Sequence, residues 1–123
     1  MDSLIDIFNS IKIILSDLQP PLIVTADYES RYEMYTNKPA NINGRKKTTV
    51  SFASLIIQSG YVGFYFMPIY THPYLVESLK PELRRLLKGK SCFHMKKIDT
   101  ELMQQIQRLI GTGYKEYQEN GWI

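Results

Sequence analysis

The chain has a single cysteine, Cys92, among its 123 residues. One thiol excludes a disulfide within the chain and fits a reducing compartment. No apolar run approaches the roughly 20 residues that a membrane-spanning helix needs. The start also lacks the basic n-region of a signal peptide, since Asp2 and Asp6 stand there instead. We therefore expect a cytoplasmic protein with no membrane partner.

Familiar catalytic signatures are missing too. The sequence contains no P-loop, no dinucleotide-binding glycine pattern, no HExxH and no nucleophile elbow. Its two histidines, His72 and His94, have no identifiable nucleophile partner. The spacing of a four-ligand zinc site is also absent, because only Cys92 and His94 stand close together. We expect no catalytic activity.

What is present is an ordinary globular composition with segregated charge. Apolar residues make up 44% and charged residues 22%, and the length suits one domain spanning residues 1–123. Residues 1–36 hold six acids and two bases, whereas residues 80–97 hold seven bases and one acid. Such a basic cluster attracts an anion, nucleic acid or an acidic partner. The alternative is a solvated face that complements the acidic N-terminal part.

The most informative stretch is 50–70, where two β-rich runs flank Ser59-Gly60. A two-residue loop of this kind predicts a tight hairpin and fixes its register. The predicted pairs are Ile57 with Val62, Leu55 with Phe64, and Ala53 with Phe66. These six apolar side chains define a core face, and we call the opposite side of the sheet the mixed face.

A second turn signal, Asn43-Gly44, extends the hairpin into a meander. Counting outward from that turn without a bulge pairs Met34 with Ala53 and Tyr35 with Phe52. The parity agrees with the first hairpin, so Tyr35 and Phe52 are predicted on the mixed face. Pro39 marks the place where a bulge would shift this count.

Helical periodicity flanks the strands at both ends. Residues 3–16 repeat apolar positions every three or four residues, with Asp2 or Ser3 available as the N-cap. Asp99 is the predicted cap of a long final helix, in which Gly113 would allow close packing. The predicted fold class is α+β, an antiparallel meander packed against N-terminal and C-terminal helices.

Two segments between the hairpin and the final helix complete the prediction. Pro81 is suited to the first position of a helix that Gly89 would end. Residues 90–97 alternate as a strand, which brings Cys92 and His94 to the mixed face if this strand joins the sheet. Near the C-terminus, Trp122 is either a packed lid or a partner contact.

The mixed face is the candidate binding surface. The predicted residues are an aromatic platform of Tyr35, Phe52, Tyr61 and Tyr65, phosphate contacts from Arg85, Lys90 and Lys96, and the neighbours Cys92 and His94. Aromatic and basic side chains on a sheet are how several single-strand binders stack bases and neutralise phosphates. A small ligand, a protein partner, a covering helix or a second copy in a homodimer are the alternatives. We favour a covered face over nucleic acid, because so much aromatic area usually marks burial.

Cys92 itself has two interpretations. Lys90, His94 and Lys96 stand near it in sequence and could lower the pKa of its thiol toward a reactive thiolate. An ordinary small strand residue explains the cysteine equally well, and we favour that interpretation.

Three segments together resemble the YdhG-like domain of unknown function. They are GYVGFYFMPIY at 60–70, KPELRRLLKGK at 80–90 and GKSCFHMKK at 89–97, followed by an amphipathic helix. The likeness extends from about residue 22 to the end. It implies a small α+β domain with flanking helices, found mostly in bacteria, and some members are described as frataxin-like intracellular iron chaperones.

Iron binding is therefore an expectation that the resemblance implies. Hard cations prefer oxygen ligands, so scattered carboxylates would have to hold the metal. The acidic residues concentrated in this chain are Asp2, Asp6, Asp17, Asp27, Glu29 and Glu33. No pair among them has a diagnostic spacing, and the resemblance transfers no individual metal ligand.

Overall fold

The computed structural model describes residues 3–42 and 44–123. Its helices are α1 (Leu4–Ser16), α2 (Pro68–Thr71), a 3-10 helix (Pro73–Ser78), α3 (Pro81–Arg84) and α4 (Thr100–Glu119). Its strands are β1 (Ile23–Asp27), β2 (Arg31–Tyr35), β3 (Ala40–Ile42), β4 (Arg45–Lys47), β5 (Ser51–Gln58), β6 (Tyr61–Phe66), β7 (Leu87–Lys88) and β8 (Cys92–Met95). The predicted α+β class is confirmed.

Six of the strands form one antiparallel sheet in the order β1-β2-β5-β6-β8-β7. The strands β3 and β4 form a separate two-stranded sheet, which lies in the stretch of sequence that connects β2 to β5. The meander is therefore interrupted by a small hairpin, whose turn residue Asn43 lies outside the described residues. The strand β8 joins the sheet beside β6, as predicted.

The predicted register of the central hairpin is confirmed. Leu55 pairs with Phe64, and the other two predicted pairs flank it. On the other side of β5, Met34 pairs with Ala53, also as predicted. Because side chains alternate along a strand, these pairs bring the apolar residues of β2, β5 and β6 to one side of the sheet.

Phe52 does not lie where the bulge-free count placed it. The register shifts after Met34, so Tyr35 pairs with Ser51, and Phe52 becomes the extra residue of β5. Its ring is 0% exposed and packs edge-on against Phe66 and Tyr117, with centroids 5.3 and 5.4 Å away. The predicted place of Phe52 on the mixed face is therefore wrong, because the bulge turns this large apolar ring into the core.

The two long helices pack on the core face. The buried residues of α1 and α4 belong to the same cluster as the buried residues of β5 and β6. Lys12 of α1 lies 2.6 Å from Asp27 and 5.2 Å from the ring centre of Tyr32, which fixes α1 on that side of the sheet. Both predicted caps are present, since Ser3 accepts from the Asp6 amide and Asp99 from the Leu102 amide.

The predicted helix from Pro81 to Gly89 is shorter than expected. It ends at Arg84, and β7 follows as an edge strand in which Leu87 pairs with Phe93. Gly89 has a φ of 72°, but it turns the chain between β7 and β8 and does not end a helix. Pairing with β8 therefore overrides the local helical preference.

The C-terminal segment packs against the core through Trp122. Trp122 is 8% exposed, with its ring centre 4.9 Å from that of Tyr117 and 5.7 Å from that of His72. The packed interpretation of Trp122 is thus confirmed. Among residues 3–42 and 44–123, no helix is both long and apolar enough to cross a membrane.

The two glycines of α4 provide a matched test of helix packing. A Cβ on Gly113 would lie 2.5 Å from Phe66 Cζ and 2.8 Å from Pro68 Cβ, whereas a Cβ on Gly111 meets nothing within 4 Å. We expect Gly113→Ala to lower the free energy of unfolding by about 1–3 kcal/mol through overpacking. Gly111→Ala should raise it by up to about 1 kcal/mol through helix propensity. Urea denaturation of both variants checks this, and equal effects of the two substitutions would contradict the packing described.

Candidate functional site

The mixed face carries rows of partly exposed side chains. One row crosses the sheet through Glu33, Ser54, Tyr65, Cys92 and Lys88, each paired with the next. The adjacent row holds Arg31, Ile56, Gly63 and His94. Most of these residues are half-buried, in contrast to the fully buried core face. Since α1 and α4 pack on the other side, the mixed face is the sheet's accessible surface.

Tyr61 and His94 form a parallel stack on this surface, near the turn that joins β5 to β6. Their ring centroids are 4.0 Å apart and the ring planes differ by 16°. His94 pairs with Gly63, so Tyr61 is its diagonal neighbour on the same face. Gly63, opposite His94, adds no side chain to this row. Both residues remain half-buried, which leaves part of the stack open to solvent.

Gly63 also makes room for a compact polar group. Gln58 Nε2 donates a hydrogen bond of 3.1 Å to the hydroxyl of Tyr65. A Cβ on Gly63 would lie 3.0 Å from Tyr65 Cε1 and 3.6 Å from both Cys92 Sγ and Gln58 Nε2. These three side chains therefore fold over the glycine, and the ring of Tyr65 lies beside the Tyr61–His94 stack. Burial raises the pKa of Tyr65, and the neighbouring Cys92 raises it further.

The thiol of Cys92 belongs to this group and is not activated. Cys92 is 8% exposed, and burial raises the pKa of its thiol, an effect that a hydrogen bond with Tyr65 partly offsets. A thiolate with a lowered pKa is therefore the wrong interpretation. The small strand residue that we favoured is the one that the structure shows.

Two lysines lie at the β7–β8 edge of the sheet. Lys96 directly follows Met95, whose partner Val62 is the neighbour of Tyr61 in β6. Lys88 pairs with Cys92, so it lies on the mixed face at the edge strand. The sequence prediction missed Lys88, because the helical interpretation of residues 81–89 hid the strand. The alternation of Leu87 and Lys88 before the Gly89 turn is the signal that could have found it.

Two other predicted cations lie elsewhere. Lys90 Nζ is 5.9 Å from the ring centre of Tyr70 and lines a cleft of about 630 Å³ together with Ile42. Arg85 lines a cavity of about 140 Å³ beside Glu82 and other acidic residues. Neither wall contains a tyrosine of the mixed face.

Of the remaining platform residues, Tyr35 is half-buried between Ile23 and Ser51, at the opposite end of the sheet from β7.

The basic cluster of residues 80–97 forms no salt bridge in the part of the chain that the structure describes. None of its seven cations lies within 4.0 Å of a described carboxylate. The acidic N-terminal part pairs within itself, through Lys12 with Asp27 and Arg31 with Glu33. Complementarity between the two segments therefore does not account for the charge segregation among the described residues.

Metal ligands are not gathered in residues 3–42 and 44–123. No group of three or more His, Cys, Asp or Glu side chains in these ranges is placed to hold a metal ion. Asp2, one of the predicted carboxylates, lies outside the described residues. Iron binding therefore remains a prediction from the resemblance alone.

Comparison of the chain with family models, with curated proteins and with solved structures found no match. The likeness to the YdhG-like domain thus remains an expectation drawn from the sequence.

The environment of Cys92 predicts slow alkylation. We expect iodoacetamide to modify the folded protein at least about tenfold more slowly than the urea-unfolded chain at pH 7.5, because the thiol is shielded and its pKa is raised. The midpoint of the rate plotted against pH should lie above the ordinary thiol value of 9.0 in the folded protein, because burial raises the pKa. Mass spectrometry of timed samples measures both rates, and labelling of the folded chain at the unfolded rate would refute the shielding.

Proposed function

We propose that this chain is a non-catalytic domain that binds single-stranded nucleic acid on its mixed face. The observation that supports this most directly is the Tyr61–His94 stack, with ring centroids 4.0 Å apart and both residues only partly buried. A base can extend such a stack without displacing either ring. Stacking on aromatic side chains tolerates any base, which suits binding without sequence preference.

The charges around the stack favour an anionic chain as the occupant. Lys88 pairs with Cys92, Lys96 directly follows β8, and neither lies within 4.0 Å of a described carboxylate. A nucleic-acid backbone brings phosphates next to its bases, so one ligand satisfies the rings and the lysines together. The exposed lysines at this edge then neutralise phosphates rather than only facing water.

A second copy of the chain fits this face less well. A symmetric dimer would bring the lysines of both copies toward the same interface, and like charges there are unfavourable. Glu33, the acid of the mixed face, is already paired with Arg31 and so offers little compensation. Charge thus favours nucleic acid over self-association.

Fluorescence anisotropy with a labelled single-stranded oligonucleotide tests the proposal. Tyr61→Ala should weaken binding by about tenfold at low salt, because one stacking contact is lost. Lys96→Ala should weaken it and reduce the slope of log affinity against log salt by about 0.7, as expected for one phosphate contact to a single strand.

Two matched variants control for the loss of any tyrosine or any charge. Tyr28→Ala removes a tyrosine that is 65% exposed at the β1–β2 turn, and Lys115→Ala removes an exposed charge from α4. Both should bind like the unchanged protein. No binding at low salt, or equal losses in test and control variants, would rule out this surface as the nucleic-acid site.

A further inference from the structure

A further cavity lies on the other side of the sheet, between the 3-10 helix and α4. Its volume is about 320 Å³, within the range of small-molecule sites. Four leucines supply much of its apolar wall, namely Leu75, Leu79, Leu83 and Leu109. The residues of the mixed face do not line it, so it is a separate candidate site.

Gln105, which lines this cavity, has a buried acceptor without a partner among the described residues. The residue is 6% exposed, and its Nε2 donates to Glu82 Oε1 at 3.1 Å. Because an ionised carboxylate only accepts, this bond fixes which end of the amide is nitrogen. The other end, Oε1, is buried and has no donor among the described residues. A buried acceptor without a donor is unfavourable, so a ligand that supplies one gains affinity.

The hydroxyl groups of the wall are already engaged. Ser78 Oγ donates to the Leu75 carbonyl at 2.7 Å, and Thr112 Oγ1 donates to the Arg108 carbonyl at 2.9 Å. A hydrogen bond with Glu116 raises the pKa of Tyr74 to about 12. The hydroxyl proton of Tyr74 is therefore already engaged in a hydrogen bond. The donor that Gln105 lacks must therefore come from outside this set.

Two cations complete the lining. Lys80 and Arg108 are exposed residues of the cavity wall. Neither lies within 4.0 Å of a described carboxylate. The cavity thus combines an apolar wall, two cations without a described counter-charge and one buried acceptor without a donor.

We propose that this cavity binds a small carboxylate that has an apolar body and one hydroxyl or N–H group. The carboxylate contacts Arg108 and Lys80, since guanidinium and carboxylate form charge-assisted hydrogen bonds. The apolar body packs against the leucines, and the hydroxyl or N–H group donates to Gln105 Oε1. The carboxylate, the apolar body and the donor group of the ligand thus each contact a matching part of the cavity wall.

Three related probes separate these contributions in an NMR titration. 4-Hydroxyphenylacetate has all three features, phenylacetate lacks the hydroxyl, and 4-hydroxyphenylethanol lacks the charge. We expect the first to bind about threefold to tenfold more tightly than either of the others. Saturable shifts should appear at the amides of Leu109 and Thr112.

Two substitutions then assign the contacts. Gln105→Leu should abolish the preference for 4-hydroxyphenylacetate over phenylacetate, because the acceptor is gone. Arg108→Gln should weaken both carboxylates by about tenfold and leave 4-hydroxyphenylethanol unchanged. Lys115→Gln, an exposed charge of α4 outside the cavity wall, should change none of the three affinities.

The outcomes distinguish a ligand-binding site from a cleft that binds none of the three probes. Arg108→Gln alters only an exposed side chain, so it remains informative even if Gln105→Leu disturbs folding. The proposal is overturned by the absence of saturable shifts at millimolar probe, by shifts that map to another surface, or by a folded Gln105→Leu variant that keeps the hydroxyl preference.

Discussion

Pairing between β5 and β6 is the constraint on which the rest of the structure depends. These two strands are the centre of the six-stranded sheet, and every other strand adds outward from them. Their register decides which side chains face α1 and α4 and which remain accessible. A shift by one residue would exchange the core face for the mixed face, since side chains alternate along a strand. The core and the candidate nucleic-acid surface are therefore set by the same backbone hydrogen bonds.

Two glycines adapt the two sides of this sheet to different neighbours. Gly113 brings α4 close to Phe66 on the core face, where a methyl group would overlap the ring. Gly63, on the mixed face, leaves the space that Tyr65, Cys92 and Gln58 fill. In both places the missing side chain allows aromatic rings to pack more closely than an alanine would.

Charge is distributed so that one end of the chain is internally paired and the other is not. The acids near the N-terminus meet Lys12 and Arg31, whereas the cations of residues 80–97 have no described carboxylate within 4.0 Å. Those cations are divided among several surfaces, with Lys88 and Lys96 at the mixed face and Lys80 at the cavity beside α4. The basic residues that cluster in the sequence therefore do not form one patch on the protein surface, because a turn and an edge strand separate them.

The sequence by itself determined the α+β class, the register around Ser59-Gly60, the cap Asp99, and the place of Tyr61 and Tyr65 on one face. These features follow from local periodicity and turn chemistry, which neighbouring residues carry. The sequence left Asp2 and Ser3 as alternative caps of α1, and it placed His94 on that face only if its strand joined the sheet. Only the tertiary structure decided that Phe52 enters the core, that Lys88 lies on an edge strand, and that Gln105 keeps an unpaired oxygen. Phe52 enters the core through a bulge that depends on pairing with β2. Lys88 belongs to a two-residue strand that exists only because it pairs with β8. The hydrogen bond from Gln105 to Glu82 joins residues 23 positions apart. Each of these depends on distant contacts that no local pattern contains.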